Sequence, residues 1–208
     1  MWWLVAGVTT LVTAMGALIA FRPGFMGSLT RGPVYVEQGM LIGPGGFRYQ
    51  ITNDDMLWLA RATWGEAATS MRGGQAVIWA MAQYHALVIG GGSRRPAFST
   101  FTALLRAYCQ PINPAWADPN GAMCQRQPGV CSARHIARRQ QITNAAWSSI
   151  PASVRQLVLE FMRGQLPNPV PGAVDWNNRD WGAQSQIAVT NVEGNYFGVG
   201  SSRRLFRD

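Results

Sequence analysis

Lysine is absent. All 18 basic residues are arginine, against 10 carboxylates in 208 residues, so the formal net charge is +8. We read the missing lysine as a base-composition bias. The positive charge favours approach to a polyanion such as anionic cell wall, acidic lipid or nucleic acid. Charged residues make up only 13% of the chain, so every carboxylate is a candidate to be weighed individually. Histidine occurs twice, at His85 and His135. With no C-x-x-C pair, that falls short of the usual zinc set, so neither metal nor cofactor is expected. The glycine run 43–46 lacks phosphate-loop spacing.

Cysteine is also scarce: Cys109, Cys124 and Cys131. An odd count allows one internal disulfide at most. Cys124 and Cys131 bracket a turn-prone Q-R-Q-P-G-V and are the preferred pair. Cys109 with either is an alternative, as is a set of three reduced thiols. A disulfide suits an extracytoplasmic domain.

What is abundant is apolar, at 48% with nine Trp. The length suggests one domain with room for a proper core, plus an anchor. Residues 2–21 carry no charge and match the thickness of a bilayer core, so 1–21 is read as a transmembrane anchor. Trp2, Trp3 and Phe21 suit its interfaces. A cleaved signal peptide is the competing reading, weakened by the lack of a basic start and an A-x-A site. A buried core helix is a third. Arg22 and Arg31 follow the segment, which by the positive-inside tendency would hold the bulk of the chain inside. An extracytoplasmic domain needs the opposite.

Residues 22–50 carry Pro23, Pro33 and Pro44 among several glycines and read as a linker or extended arm, with a short strand near Val34 to Val36. Residues 51–208 form the globular domain, and helical patterns dominate it. The predicted helices span 54–69, capped by Asn53, then 74–89, 100–107, 132–149 with Ser132 as cap, and 151–164. The tail 174–206 is rich in Gly, Asn and aromatics, with a weak strand signal at 187–189. Within the first helix Met56, Leu59, Ala60, Thr63, Glu66 and Ala67 share a stripe, so Glu66 faces the apolar side. A carboxyl group among apolar neighbours resists ionisation, as a general acid near neutral pH requires. A solvated residue at a fraying helix end is the alternative.

Two stretches read L-A-R-A-T-W-G-E-A (Leu59 to Ala67) and G-G-Q-A-V-I-W-A-M-A-Q (Gly73 to Gln83), and a third V-E-G-N-Y-F (Val192 to Phe197). Together they resemble the SleB-type cell-wall hydrolases known from spore-cortex lysis. The second helix departs from that pattern: where the family has asparagine-arginine, this chain has Gln83-Tyr84-His85. The middle, with its cysteines, also departs. The resemblance implies a mostly α, lysozyme-like domain that cuts peptidoglycan, with Glu66 as catalytic acid and Asn195 and Tyr196 as substrate-positioning residues.

Glycan cleavage needs an acid at the bridging oxygen and a nucleophile at the sugar carbon. Ordinary glycosidases use two carboxylates. A lytic transglycosylase needs one, because the muramic acid's own 6-hydroxyl attacks. The further carboxylates here are Asp118, Asp175, Asp180 and Glu193, with Glu193 as the backup. Their scarcity favours the one-carboxylate scheme. A glycan groove wants flat apolar faces interleaved with amides. Tyr108, Gln110, Asn113 and Trp116 fit in one loop; Trp176, Asn177, Asn178 and Trp181 fit in another.

The leading expectation is a membrane-anchored peptidoglycan lytic transglycosylase, in a bacteriophage virion beside other virion proteins, in phage lysis, or in bacterial envelope remodelling. The competing class is a non-catalytic structural or ejection protein whose decayed hydrolase domain binds the wall. A nucleic-acid binder is disfavoured by scattered arginines and no stacking motif. A Cys109/His135 amidase is weaker still.

Overall fold

Helix formation begins at Thr52. Its hydroxyl accepts the N–H of Asp55, and the Asp55 carboxylate accepts the N–H of Thr52. This reciprocal capping box starts α1 (Asn53–Ala67), so Asn53, the expected cap, is the first helical residue. The computed structural model describes residues 32–68, 70–90, 98–178 and 189–198. The anchor expected over 1–21 lies outside them. Among the described residues no helix is long and apolar enough to cross a membrane.

Of the predicted stripe of α1, Leu59, Ala60 and Thr63 are buried, as are Asp55 and Ala62 outside it, while Met56, Glu66 and Ala67 are half-buried. The Thr63 hydroxyl donates to the Leu59 carbonyl at 2.8 Å, which satisfies a buried polar group. Next comes α2 (Met71–Gly90), in which every residue from Ala76 to Ala82 is buried. A helix apolar all round belongs in the centre. Accordingly α2 packs against α1, α3 (Phe101–Tyr108), α6 (Ala152–Met162) and strands of both sheets. Gly74 sets its approach: a Cβ there would lie 2.6 Å from Leu157 Cδ1 and 3.2 Å from Thr63 Cγ2. Farther along, the buried Gln83 donates to the carbonyls of Val170 and Ala173 at 2.9 and 2.8 Å, and its own oxygen accepts from Asn168 and Gly172. One amide thus organises the proline-rich loop that leads into the second sheet.

Thr100 and Ser132 cap α3 and α5 (Ala133–Asn144) through their hydroxyls. The helix expected over 132–149 stops at Asn144. A short α4 (Ala122–Arg126) forms between the helices expected over 100–107 and 132–149.

The linker expected over 22–50 is corrected for its described part. Strands β1 (Tyr35–Glu37), β2 (Met40–Ile42) and β3 (Arg48–Gln50) form an antiparallel sheet in that order. Val36, Leu41 and Ile42 are core residues. The sheet is fastened to α6 by the Gly39 N–H on the Met162 carbonyl at 3.0 Å. At Gly164, φ is +70° and an added Cβ would meet the Val36 carbonyl oxygen at 2.2 Å, so only glycine fits there. At the other end β4 (Asp175–Asn177), β5 (Val189–Val192) and β6 (Asn195–Gly198) form a second antiparallel sheet, ordered β4-β6-β5. Its hairpin turns through Glu193 and Gly194, both at positive φ, as a two-residue turn requires. The described chain is mostly helical, with two small sheets.

Candidate active site

Glu66 is half-buried in the last turn of α1. Its Oε1 accepts the backbone N–H of Gln110 at 3.1 Å. Residues 110–112 form a 3-10 turn whose Ile112 is in the core. That turn reaches Glu66 because residue 65 has no side chain: a Cβ on Gly65 would lie 2.3 Å from Pro111 Cβ. Immediately after Glu66 the helix ends, with Ala68 at φ 52°, ψ −110°. A non-glycine residue at positive φ is strained, so the helix end beside the acid is fixed by its surroundings. Ser70 follows. Its hydroxyl accepts the Gly73 N–H at 2.9 Å and donates to the Glu193 carboxylate. The β5–β6 turn is therefore docked on the α1–α2 junction, four residues from Glu66.

The first predicted groove stretch divides. Gln110 meets Glu66, but through its backbone. Tyr108 is half-buried, its hydroxyl bonded to that of the buried Tyr84 at 2.5 Å and its ring 4.6 Å from the Tyr84 ring. Asn113 is not placed as a groove amide. Its NH2 donates to the Ala107 carbonyl at 2.8 Å and its oxygen accepts the Ala115 N–H at 2.9 Å, closing the loop. Trp116 is buried, which removes the flat exposed face expected of it. Its carbonyl accepts from Arg139 Nη1 at 2.9 Å.

The second stretch is split by strand alternation. Trp176 pairs with Phe197 across β4 and β6 and stacks on it, centroids 5.9 Å apart. Asn177 pairs with Tyr196, which also pairs with Asn191 on β5, so these three form a row. Asn195 precedes Tyr196 and so belongs to the other face, with Phe197. The resemblance-based pair Asn195 and Tyr196 is thus divided between two faces. Asn178 is exposed; Trp181 and Asp180 lie outside the described residues.

The remaining carboxylates have other engagements. Asp55 is 1% exposed and accepts five hydrogen bonds, from the N–H and hydroxyl of Thr52, the N–H and hydroxyl of Thr102, and the Tyr49 hydroxyl. Burial pushes its pKa up, but these bonds outweigh burial and hold it below the usual value. Asp118 and Glu193 are exposed, and Asp118 accepts the Asn120 N–H. Asp175 accepts the N–H of Trp176.

The disulfide joins Cys124 to Cys131, with Cα atoms 5.4 Å apart. Cys109 is buried with its sulfur 3.6 Å from Met81 Sδ. His135 is exposed and bonded to Ser132, so it and Cys109 do not share an environment. Among the described residues no three His, Cys, Asp or Glu lie together as metal ligands.

The sequence reading missed three features. Gly65 was legible, as a glycine inside a helical pattern marks a close approach. The Asp55 hub depends on Thr102, 47 positions away. The stacking of Arg61 on Trp58 was legible as an i, i+3 pair, but the arrival of Arg106 on the same ring had no local signal. Comparisons with protein-family models, curated proteins and solved structures return no match.

Proposed function

We propose that this chain is a peptidoglycan lytic transglycosylase of lysozyme-like architecture, with Glu66 as its acid and base. The supporting observation is a contrast among carboxylates. Glu66 is half-buried at a strained helix end, its Oε1 accepting the Gln110 N–H. Asp55 is consumed in structure, the half-buried Glu160 and Asp175 accept from Gln156 and Trp176, Asp118 is exposed, and the exposed Glu193 is bonded to Ser70.

In this scheme Glu66 gives its proton to the oxygen bridging N-acetylmuramic acid and N-acetylglucosamine, and the C1–O bond breaks. The same carboxylate then takes the proton of the muramyl 6-hydroxyl as that oxygen closes on C1. The product carries a 1,6-anhydro end, and no water is consumed. The Cys124–Cys131 disulfide supports a wall-side location. In that location residues 2–21 would anchor the domain to a periplasm-facing or virion membrane.

The test is mass spectrometry of fragments released from purified sacculi. Anhydro-ended muropeptides, one water lighter than hydrolysed ones, are the expected products, and Glu66→Gln should release none. Fragments released equally by Glu66→Gln would overturn the assignment.

A further inference from the structure

Two arginines, Arg61 and Arg106, converge on one tryptophan, Trp58. Trp58 is a half-buried indole on α1. The guanidinium carbon of Arg61, one turn on, lies 4.5 Å from its ring centroid, and that of Arg106, from α3, lies 4.8 Å from it. Stacking on an indole holds a guanidinium plane in place while its N–H edge stays available. Arg61 uses Nε and Nη2 on the Ala145 carbonyl, at 3.1 and 2.9 Å. Arg106 is exposed. Among the described residues neither guanidinium forms an ion pair with a carboxylate. The nearest acid in effect is Asp54, whose Oδ2 accepts from Thr102. Two like charges converging on one ring repel each other. Burial lowers the Arg61 pKa, Asp54 opposes that, and the repulsion from Arg106 is the smallest of the three effects.

We propose that Arg61, Arg106 and Trp58 form a carboxylate site for the peptide stem of a peptidoglycan strand. The inference rests on the reading of Glu66 as the glycan-cutting residue. Trp58 precedes Glu66 by eight residues of the same helix, about 12 Å along its axis. A stem of three or four extended residues covers about 10–14 Å. A strand with its sugar at Glu66 thus has a stem carboxylate within reach of the two arginines. Arginine pairs with carboxylate through two parallel N–H bonds, so a stem acid is a better match than a neutral sugar.

Two assays test this. Cleavage rates are compared on intact sacculi and on glycan strands stripped of stems by an amidase. Arg106→Gln should lower kcat/KM about tenfold on stem-bearing strands and less than about twofold on stripped strands, with Arg106→Lys between. Equal effects on both substrates overturn the site. Separately, binding of an N-acetylmuramoyl tetrapeptide is measured by calorimetry. Arg106→Gln should weaken it about tenfold. Binding that this substitution leaves unchanged overturns the site, whether or not the protein cuts glycan. Failure of the enzymatic reading shows itself differently, as a wild-type protein that cuts neither substrate. Retention of an oligonucleotide that Arg106→Gln abolishes, with muropeptide binding unaffected, assigns the arginines to nucleic acid and also overturns the site.

Discussion

Gly65 and Pro111 touch: an alanine Cβ at position 65 would sit 2.3 Å from Pro111 Cβ and 2.7 Å from its Cγ. The contact couples the last turn of α1 to the 3-10 turn whose first N–H holds Glu66. In an ordinary helix interior, Gly→Ala stabilises by about 1 kcal/mol. Here overlap reverses the sign. Gly65→Ala is expected to cost about 1–3 kcal/mol in urea unfolding. Muropeptide release should fall by tenfold or more, on the order seen when catalytic geometry moves by an ångström. Gly129, with nothing within 4 Å of its Cβ position, is the control, and Gly129→Ala should stay within about 0.5 kcal/mol of wild type.

Asp55 ties β3, α1 and α3 together through five donors on two oxygens. Asp55→Ala strands those donors and should cost about 3–5 kcal/mol. Its carboxyl pKa is depressed in the fold, so the folded state binds fewer protons than the unfolded chain as pH falls below the ordinary value of 3.8. The stabilisation is complete above that value and disappears as pH drops through the lower folded-state value. Urea midpoints followed below pH 4 should show this loss in wild type and not in Asp55→Asn.

The helices were legible because burial obeys a 3.6-residue period, and the stripe from Leu59 to Thr63 carried the phase of α1 correctly. Of the first sheet only β1 was, overlapping the short strand read near Val34 to Val36. Three-residue strands are too short to show alternation, and Pro33, Pro44 and the surrounding glycines look like linker until Leu41 is seen in the core. The cap was misread by one residue because Thr52 and Asn53 are both good caps, and only the reciprocal bond to Asp55 distinguishes them. The half-buried position of Glu66 was legible from its place at the end of the stripe. Trp116 could not be separated from a groove tryptophan, since loop membership says nothing about which way a ring packs.

His85 is fully buried among Phe47, Tyr49 and Phe101, with centroids 5.6, 4.6 and 5.2 Å away. Neither ring nitrogen has a hydrogen-bond partner among the described residues. Burial lowers its pKa from 6.5 to about 4, with Asp55 opposing. Between these values the unfolded chain binds a proton that the fold does not, so stability falls as pH falls. The loss should reach roughly 2–3 kcal/mol at about pH 4.5 relative to neutral pH. His85→Leu removes that slope and should leave stability at neutral pH unchanged or higher, because no buried hydrogen bond is lost. Urea unfolding of both proteins at the two pH values is the check.

The Cys124–Cys131 bond closes a short loop, the two residues being seven apart. Both sulfurs lie against the Trp116 carbonyl, at 3.7 and 3.9 Å, where Arg139 also donates. The bond thus pins the segment that begins at Gln110 and holds Glu66. For so short a loop the chain-entropy contribution is about 2 kcal/mol, so Cys124→Ser with Cys131→Ser should lower unfolding stability by that amount. Muropeptide release should drop further than stability does, as the Gln110 N–H loses its fixed position. The pairing is checked by counting alkylated thiols. The folded, oxidised protein should take no label, because Cys109 is fully buried. Unfolding without reductant should add one label, and peptide mapping should find it on Cys109. Unfolding with reductant should give three. A single label on Cys124 or Cys131 would mean a different bridge, and the route from disulfide to Glu66 would fall with it.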